Sequence, residues 1–243
     1  MGSIIYNGHE IQDLIVNGNQ AQLWLNGQKL YPTEVTPVDP YNPLGLPPFT
    51  IRCKFSSGYT PTMGDSQTLV DSTENVWDIT NNNKSWYSLF QRNTNLLEVL
   101  GANSTGVTRM ADLFYSCRSL ASVTLFDTSS CTDMTSMFYS CRSLASVPLF
   151  DTSSCTNMSS MFGSCAALTS VPLFDTSNVT RMNNMFRSCY NVQSGALALY
   201  QQASTQATPP SNHSGCFADC GRDTVTGSAE LAQIPTSWGG TMA

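Results

Sequence analysis

Residues 110–133 read MADLFYSCRSLASVTLFDTSSCTD, residues 134–157 read MTSMFYSCRSLASVPLFDTSSCTN, and residues 158–181 read MSSMFGSCAALTSVPLFDTSNVTR. Met110, Met134, Met158 and Met182 are thus 24 residues apart, and a further copy, MNNMFRSCYNV, starts at Met182 before it diverges. One period upstream, the stretch from Trp86, WYSLFQRNTNLLEVLGANSTGVTR, keeps Leu89-Phe90, Leu96, Val99 and Val107 in phase. Near the C-terminus, Cys216-Phe217 with Cys220, then Leu231 and Ile234-Pro235, reads as a last copy stretched by an insertion. A fixed period of this length marks a repeat architecture, in which each unit buries its apolar side only against its neighbours.

Each copy changes its internal period halfway. Met134, Met137, Phe138 and Cys141 lie at the i, i+3, i+4, i+7 spacing of one helical face, which predicts a short helical turn. Leu144, Val147 and Leu149 then follow the L-x-x-V-x-L spacing of a short strand, shortened by Pro148 and Pro172, which lack a ladder donor. Asp151-Thr-Ser-Ser supplies a polar turn whose side chains bond nearby backbone amides.

The unit MF-x-x-C-x-x-L-x-x-V-P-L-F-D-T-S-x-V-T-x-M resembles the leucine-rich repeat of bacterial surface proteins of the BspA type, also found in mycoplasma surface lipoproteins. The resemblance covers about residues 86–189. It implies an α/β fold, a leucine-rich-repeat-like right-handed solenoid of short parallel strands and short helical turns, used for adhesion or protein binding. It implies no catalytic residues.

The flanks divide the rest. Three Asn-Gly pairs, Asn7-Gly8, Asn17-Gly18 and Asn26-Gly27, separate partly alternating segments and predict a small antiparallel β module over 1–31. Pro32, Pro37, Pro40, Pro43, Pro47 and Pro48 are half of the chain's 12 prolines and mark a linker over 32–48. Residues 49–85, with FTIRCKF, QTLV and NVWDI as strands, are expected to cap the repeats of 86–189. Residues 190–243 are expected to form the C-terminal cap, beginning with a short helix over Ala196-Leu-Ala-Leu-Tyr-Gln-Gln-Ala. A compact Asn-Gly β module on a Pro-rich stem also resembles prophage tail and base-plate accessory proteins. That resemblance accounts for the absence of a basic, apolar leader at Met1-Gly-Ser-Ile-Ile-Tyr, because virions assemble inside the cell and leave by lysis.

Composition bounds the function. The 243 residues carry a formal charge of -6 and only 11 Lys plus Arg, which argues against nucleic acid and anionic membranes as partners. No run approaches the roughly 18 apolar residues of a membrane span, so no membrane insertion is expected. Polarity comes from 75 Ser, Thr and Asn residues rather than from charges, which make up 12%.

Nine cysteines suggest disulfides or metal, but their positions favour a core role. Cys117, Cys141, Cys165 and Cys189 share one repeat position, while Cys131 and Cys155 share another that is Val107 and Val179 in neighbouring copies. Interchange with Val predicts small, buried, reduced residues. In-register cysteines on successive copies would also hold their Cβ atoms near 4.8 Å, wider than a disulfide prefers. His213, Cys216 and Cys220 lack a C-x-x-C knuckle and a fourth ligand, so zinc is not expected. Asp127, Asp151 and Asp175 recur in FDTS and suit capping of their own turns better than calcium. No metal and no cofactor is expected.

Positions that vary between copies are the candidate contacts. One column reads Gln91, Tyr115, Tyr139, Gly163 and Arg187, and another reads Thr94, Arg118, Arg142, Ala166 and Tyr190. Tyr115, Arg118, Tyr139, Arg142, Arg187 and Tyr190 therefore form the expected exposed binding face, alternatively an ordinary solvated face with Arg stacked on Tyr. The expected function is non-enzymatic binding or adhesion to a protein or surface glycan, outside the cell on a phage virion or bacterial surface. The alternatives are a phage tail glycan hydrolase and a spacer without its own ligand. A hydrolase usually needs two carboxylates about 5–9.5 Å apart, and the chain has only five Glu.

Overall fold

The computed structural model describes residues 4–6, 9–11, 13–17, 20–25, 28–30 and 42–242. The chain divides into two compact units, Met1–Pro40 and Tyr41–Ala243. In the first, strands β1 (Ile4–Tyr6) and β2 (His9–Ile11) pair antiparallel. Strands β3 (Asp13–Asn17), β4 (Gln20–Leu25) and β5 (Gln28–Leu30) pair antiparallel in that order. The expected turn residues Asn7-Gly8, Gly18 and Asn26-Gly27, residue 31, and residues 32–41 of the Pro-rich segment lie outside the described residues.

The second unit starts inside the expected linker. The Asn42 side chain accepts from the Leu46 amide at 2.8 Å and donates to the Leu46 carbonyl at 3.0 Å, closing a turn that buries Leu46. Strands β6 (Thr50–Phe55), β7 (Ser66–Asp71), β8 (Val76–Thr80), β9 (Leu96–Asn103) and β10 (Ser122–Val123) form one open sheet, ordered β10-β9-β6-β8-β7. Alternation explains β6: Ile51, Cys53 and Phe55 are buried, while Arg52 and Lys54 reach Asp78 and Glu74 on the other face. Every pair in this sheet is antiparallel except β9 with β10, whose register is Ser122 to Glu98 and Val123 to Val99.

This mixed, mostly antiparallel sheet with few helices corrects the expected α/β, leucine-rich-repeat-like right-handed solenoid of short parallel strands and short helical turns. Two physical reasons account for the difference. The first is proline. Thr124 of β10's repeat donates its amide to the Val99 carbonyl at 3.1 Å, but the next copies place Pro148 and Pro172 there, and neither extends a strand. Parallel pairing between later copies survives as single-residue bridges, Arg109 to Asp133 to Asn157 to Arg181.

The second reason is backbone sign. Ser136 and Ser140 have φ of 52° and 59°, as do Ser160 and Ser164 at 56° and 62°, so the predicted helical segments are runs of overlapping turns. The Met137, Tyr139 and Cys141 amides close turns onto the carbonyls of Met134, Ser136 and Phe138 at 3.0–3.2 Å. The alternate amides of Met134, Ser136, Phe138 and Ser140 point away and donate to Asn157, Ser159, Met161 and Gly163 of the next copy at 2.8–3.0 Å. A helix would have kept these donors to itself.

The apolar positions still converge on one core. Phe90, Phe114, Phe138, Phe162 and Phe186 stack with centroids 5.2–5.5 Å apart, and Phe217 continues the column at 6.1 Å. Buried hydroxyls run beside it: Ser104, Thr128 and Thr152 donate to the carbonyls of Asp127, Asp151 and Asp175 at 2.6–2.8 Å. Where no further copy follows, Thr176 donates instead to Gln206 Oε1 at 2.9 Å, just past helix α1 (Ala196–Thr205). Helix α1 has no cap of its own. Glu230, on helix α2 (Val225–Leu231), accepts from the Gly195 and Leu197 amides at 3.2 and 3.0 Å.

Two stability outcomes follow from these contacts. Ser160→Val places a β-branched residue at positive φ and should be about 1–2 kcal/mol less stable than Ser160→Gly in urea unfolding. Glu230→Ala leaves the α1 amides without their acceptor and should cost about 1 kcal/mol by the same measurement.

Candidate functional site

Because each copy hydrogen-bonds the next in register, residues 24 apart lie side by side. The Ser116, Ser140 and Ser164 amides donate to the carbonyls of Tyr139, Gly163 and Arg187 at 2.7–2.8 Å, aligning the first candidate column. In the second, Ser143 Oγ donates to the Arg118 carbonyl and Asn191 Nδ2 to the Ala166 carbonyl, both at 2.8 Å. Between the columns Cys117, Cys141, Cys165 and Cys189 turn inward and are fully buried. The structure therefore brings all six candidates onto contiguous rows.

Their side chains are not equivalent. Arg118, Arg142 and Arg187 are exposed, whereas Tyr115, Tyr139 and Tyr190 are half-buried. Tyr115 and Tyr139 stack on each other, centroids 5.1 Å apart and planes 13° from parallel. Gly163 follows because a Cβ there would meet the Tyr139 ring at 2.9 Å. Tyr139 is thus closed on both faces, and Tyr115 on one. Neither phenol oxygen has a protein partner among the described residues and neither is buried, so both hydroxyls meet solvent.

Tyr190 is covered differently, by the Arg222 guanidinium 4.5 Å from its ring centre, with Arg222 also paired to Asp219 and Asp223. Sequence reading missed Arg222, which lies beyond the regular copies. It also missed a second cation and ring pair, Arg109 over Tyr87 at 4.3 Å. Arg109 bridges to Asp133 at 3.1 Å, and burial holds the nearby Asp112 carboxyl above the usual range, opposed by the Arg109 charge. Tyr87 stands where later copies have Ala111, Thr135, Ser159 and Asn183, so the same column comparison was the signal available. An open hollow between Tyr59, Met63, Gln91, Arg92 and Thr94 ends the two candidate columns.

The other constellations are engaged in structure. Asp127, Asp151 and Asp175 each accept the amide of the serine two residues on, Ser129, Ser153 or Ser177, at 2.8–3.0 Å. His213 lies flat on Trp238 with centroids 4.0 Å apart. Cys216 and Cys220 are buried, and Cys216 accepts the Phe186 amide as Met185 accepts that of Phe162. Among the described residues no three His, Cys, Asp or Glu side chains converge as a metal cluster.

All nine cysteines are free and buried. Cys117, Cys141, Cys165 and Cys189 donate their thiols to the carbonyls of Phe90, Phe114, Phe138 and Phe162 at 2.9–3.1 Å. Burial pushes the thiols of Cys117, Cys131 and Cys189 up to about 12 and that of Cys155 to about 11. It also raises those of Cys53, Cys141, Cys165, Cys216 and Cys220.

Residues 84–199 match the family described as Mycoplasma protein of unknown function, DUF285. No curated protein and no solved structure matches the chain. The match spans the regular repeats, the candidate face and the start of α1.

The thiols make two outcomes measurable. At pH 8 an aromatic disulfide reagent should titrate none of them in the native protein and nine after denaturation. Since their folded pKa values lie above the ordinary 9.0, stability should be intact below about pH 9 and fall as pH rises toward 12. Each thiol contributes at most about 1.4 kcal/mol per pH unit in that window. Cys131→Val with Cys155→Val, copying Val107 and Val179, should move the alkaline unfolding midpoint upward.

Proposed function

We propose that this chain is a non-enzymatic binding or adhesion protein that presents Tyr115, Arg118, Tyr139, Arg142, Arg187 and Tyr190 to a protein or surface glycan. One observation carries the reading: across five copies the outward columns read Gln91, Tyr115, Tyr139, Gly163, Arg187 and Thr94, Arg118, Arg142, Ala166, Tyr190, while inside the Phe of Phe138 recurs in all five and the Met of Met134 and the Cys of Cys141 in four. Core packing leaves only the outer positions free to diversify, and Tyr and Arg are both enriched at binding hot spots. The likeness of the unit to BspA-type repeats supports adhesion. The likeness of the N-terminal segment to phage tail proteins supports presentation on a virion or bacterial surface.

The non-enzymatic part rests on the carboxylates. Asp127, Asp151 and Asp175 are held by the amides of their own turns, and Glu230 by the start of α1. None of these is left as a pair across a cleft, the arrangement glycan hydrolysis uses.

The test uses labelled full-length protein on bacterial cells and on a glycan array. The triple variant Tyr115→Ala, Tyr139→Ala, Tyr190→Ala should lose at least about tenfold in binding while keeping its circular dichroism spectrum. Unchanged binding by a folded triple variant would remove this face from the function. Release of reducing sugar from host cell wall would replace the binding reading with the hydrolase.

A further inference from the structure

The chain is acidic, but its charge is not evenly spread. Across 91–95, 115–119, 139–143, 163–167 and 187–191, the five segments that build the candidate face, there are four arginines and no Asp or Glu. Arg92, Arg118, Arg142 and Arg187 are all exposed. None forms an ion pair among the described residues, although Arg52, Lys54, Arg109 and Arg222 all do. The one side-chain partner in the group is neutral: Arg187 Nη1 lies 3.5 Å from Asn184 Oδ1.

A guanidinium without a carboxylate keeps its full fork of donors for a ligand. Arg118 and Arg142 take the same position in neighbouring copies, about 4.8 Å apart where copies bridge, while Arg92 lies one copy before them and Arg187 two copies after, each at a different position of the unit. The Tyr115 and Tyr139 hydroxyls lie beside them and are also unpartnered. These five segments thus carry four positive charges and no negative one on a protein whose net charge is -6, bounded at Tyr190 by the Arg222 group with Asp219 and Asp223.

Ring geometry narrows the ligand. A nucleobase or the apolar face of a neutral sugar needs an open aromatic face, and here Tyr139 is closed on both sides by Tyr115 and Gly163 while Tyr115 and Tyr190, both half-buried, each have one face taken, by Tyr139 and Arg222. A protein anchor would need a desolvated apolar pocket at the centre of the face, and Cys117, Cys141 and Cys165 there are buried beneath polar turns. What remains on offer is a set of cationic forks and hydroxyls spread over the copies from 91 to 191. We infer that this face binds a linear acidic polysaccharide, its carboxylate or sulfate groups taken by Arg92, Arg118, Arg142 and Arg187 and its hydroxyls by Tyr115 and Tyr139. Each exposed contact is weak alone, and repetition along one polymer adds them.

This inference rests on the binding face proposed above. Its test uses full-length protein and, as immobilised probes, polygalacturonate for carboxylate, heparin for sulfate, dextran as neutral polymer, poly-glutamate and duplex DNA, each at 50 and 300 mM NaCl. Expected is retention on at least one of the two acidic polysaccharides and none on dextran, weakened about tenfold at the higher salt. Arg118→Gln with Arg142→Gln should weaken it roughly tenfold at unchanged Tm. Which polysaccharide binds tells carboxylate from sulfate. Failure on both, stronger retention on poly-glutamate or DNA, or full binding by the double variant would overturn the assignment. If cells still bind the double arginine variant but not the triple tyrosine variant, the ligand class fails and the face stands. If neither variant changes cell binding, both fail.

Discussion

Everything in the repeat region depends on where four amides of each copy point. In MTSMFYSC, the amides of Met134, Ser136, Phe138 and Ser140 leave their own copy and bond the next, and the positive φ of Ser136 and Ser140 makes that possible. Non-glycine residues adopt this conformation at a cost of about 1 kcal/mol or more each. The cost recurs twice in every copy. It is offset because each outward amide finds a carbonyl in register and each Met, Phe and Cys between them enters the core. Cooperation between neighbours, rather than local propensity, therefore holds these segments.

Much of this was legible in the chain. The period, the identity of the core residues, the inward Cys and Val, and the strands of 49–80 all follow from spacing alone, since burial depends on which side a residue faces. The helical reading went wrong for a definable reason. Overlapping turns place Met134, Met137, Phe138 and Cys141 inward just as a helix does, and periodicity cannot tell the two apart. Ser, Asp and Asn at the left-handed positions were the available clue, being residues that tolerate turns better than helix interiors. Strand length was overestimated because a missing donor at Pro148 and Pro172 leaves nothing to pair, not merely less. The long strand β9 was hidden because its antiparallel partner, β6, lies some 45 residues earlier and outside the repeat.

The candidate face was half legible. Column comparison found Tyr115, Tyr139 and the arginines, because outward positions are the ones free to differ. It could not see that the tyrosines stack on each other, or that Arg222 returns from beyond the last regular copy to cover Tyr190. Those contacts depend on three-dimensional return of the chain. They matter chemically, since each contact removes a ring face that an isolated tyrosine would offer.

The ends of the buried hydroxyl row have a consequence for how such a chain can vary. Ser104 opens the row and Gln206 closes it, and between them each Thr needs only the carbonyl of one more FDTS turn. Gaining or losing a whole 24-residue unit therefore leaves both terminal fittings chemically unchanged. The molecule is built like a ruler cut to length: reach can be altered by recombination within the coding sequence without redesigning either end, and each added unit brings two new outward letters to the row.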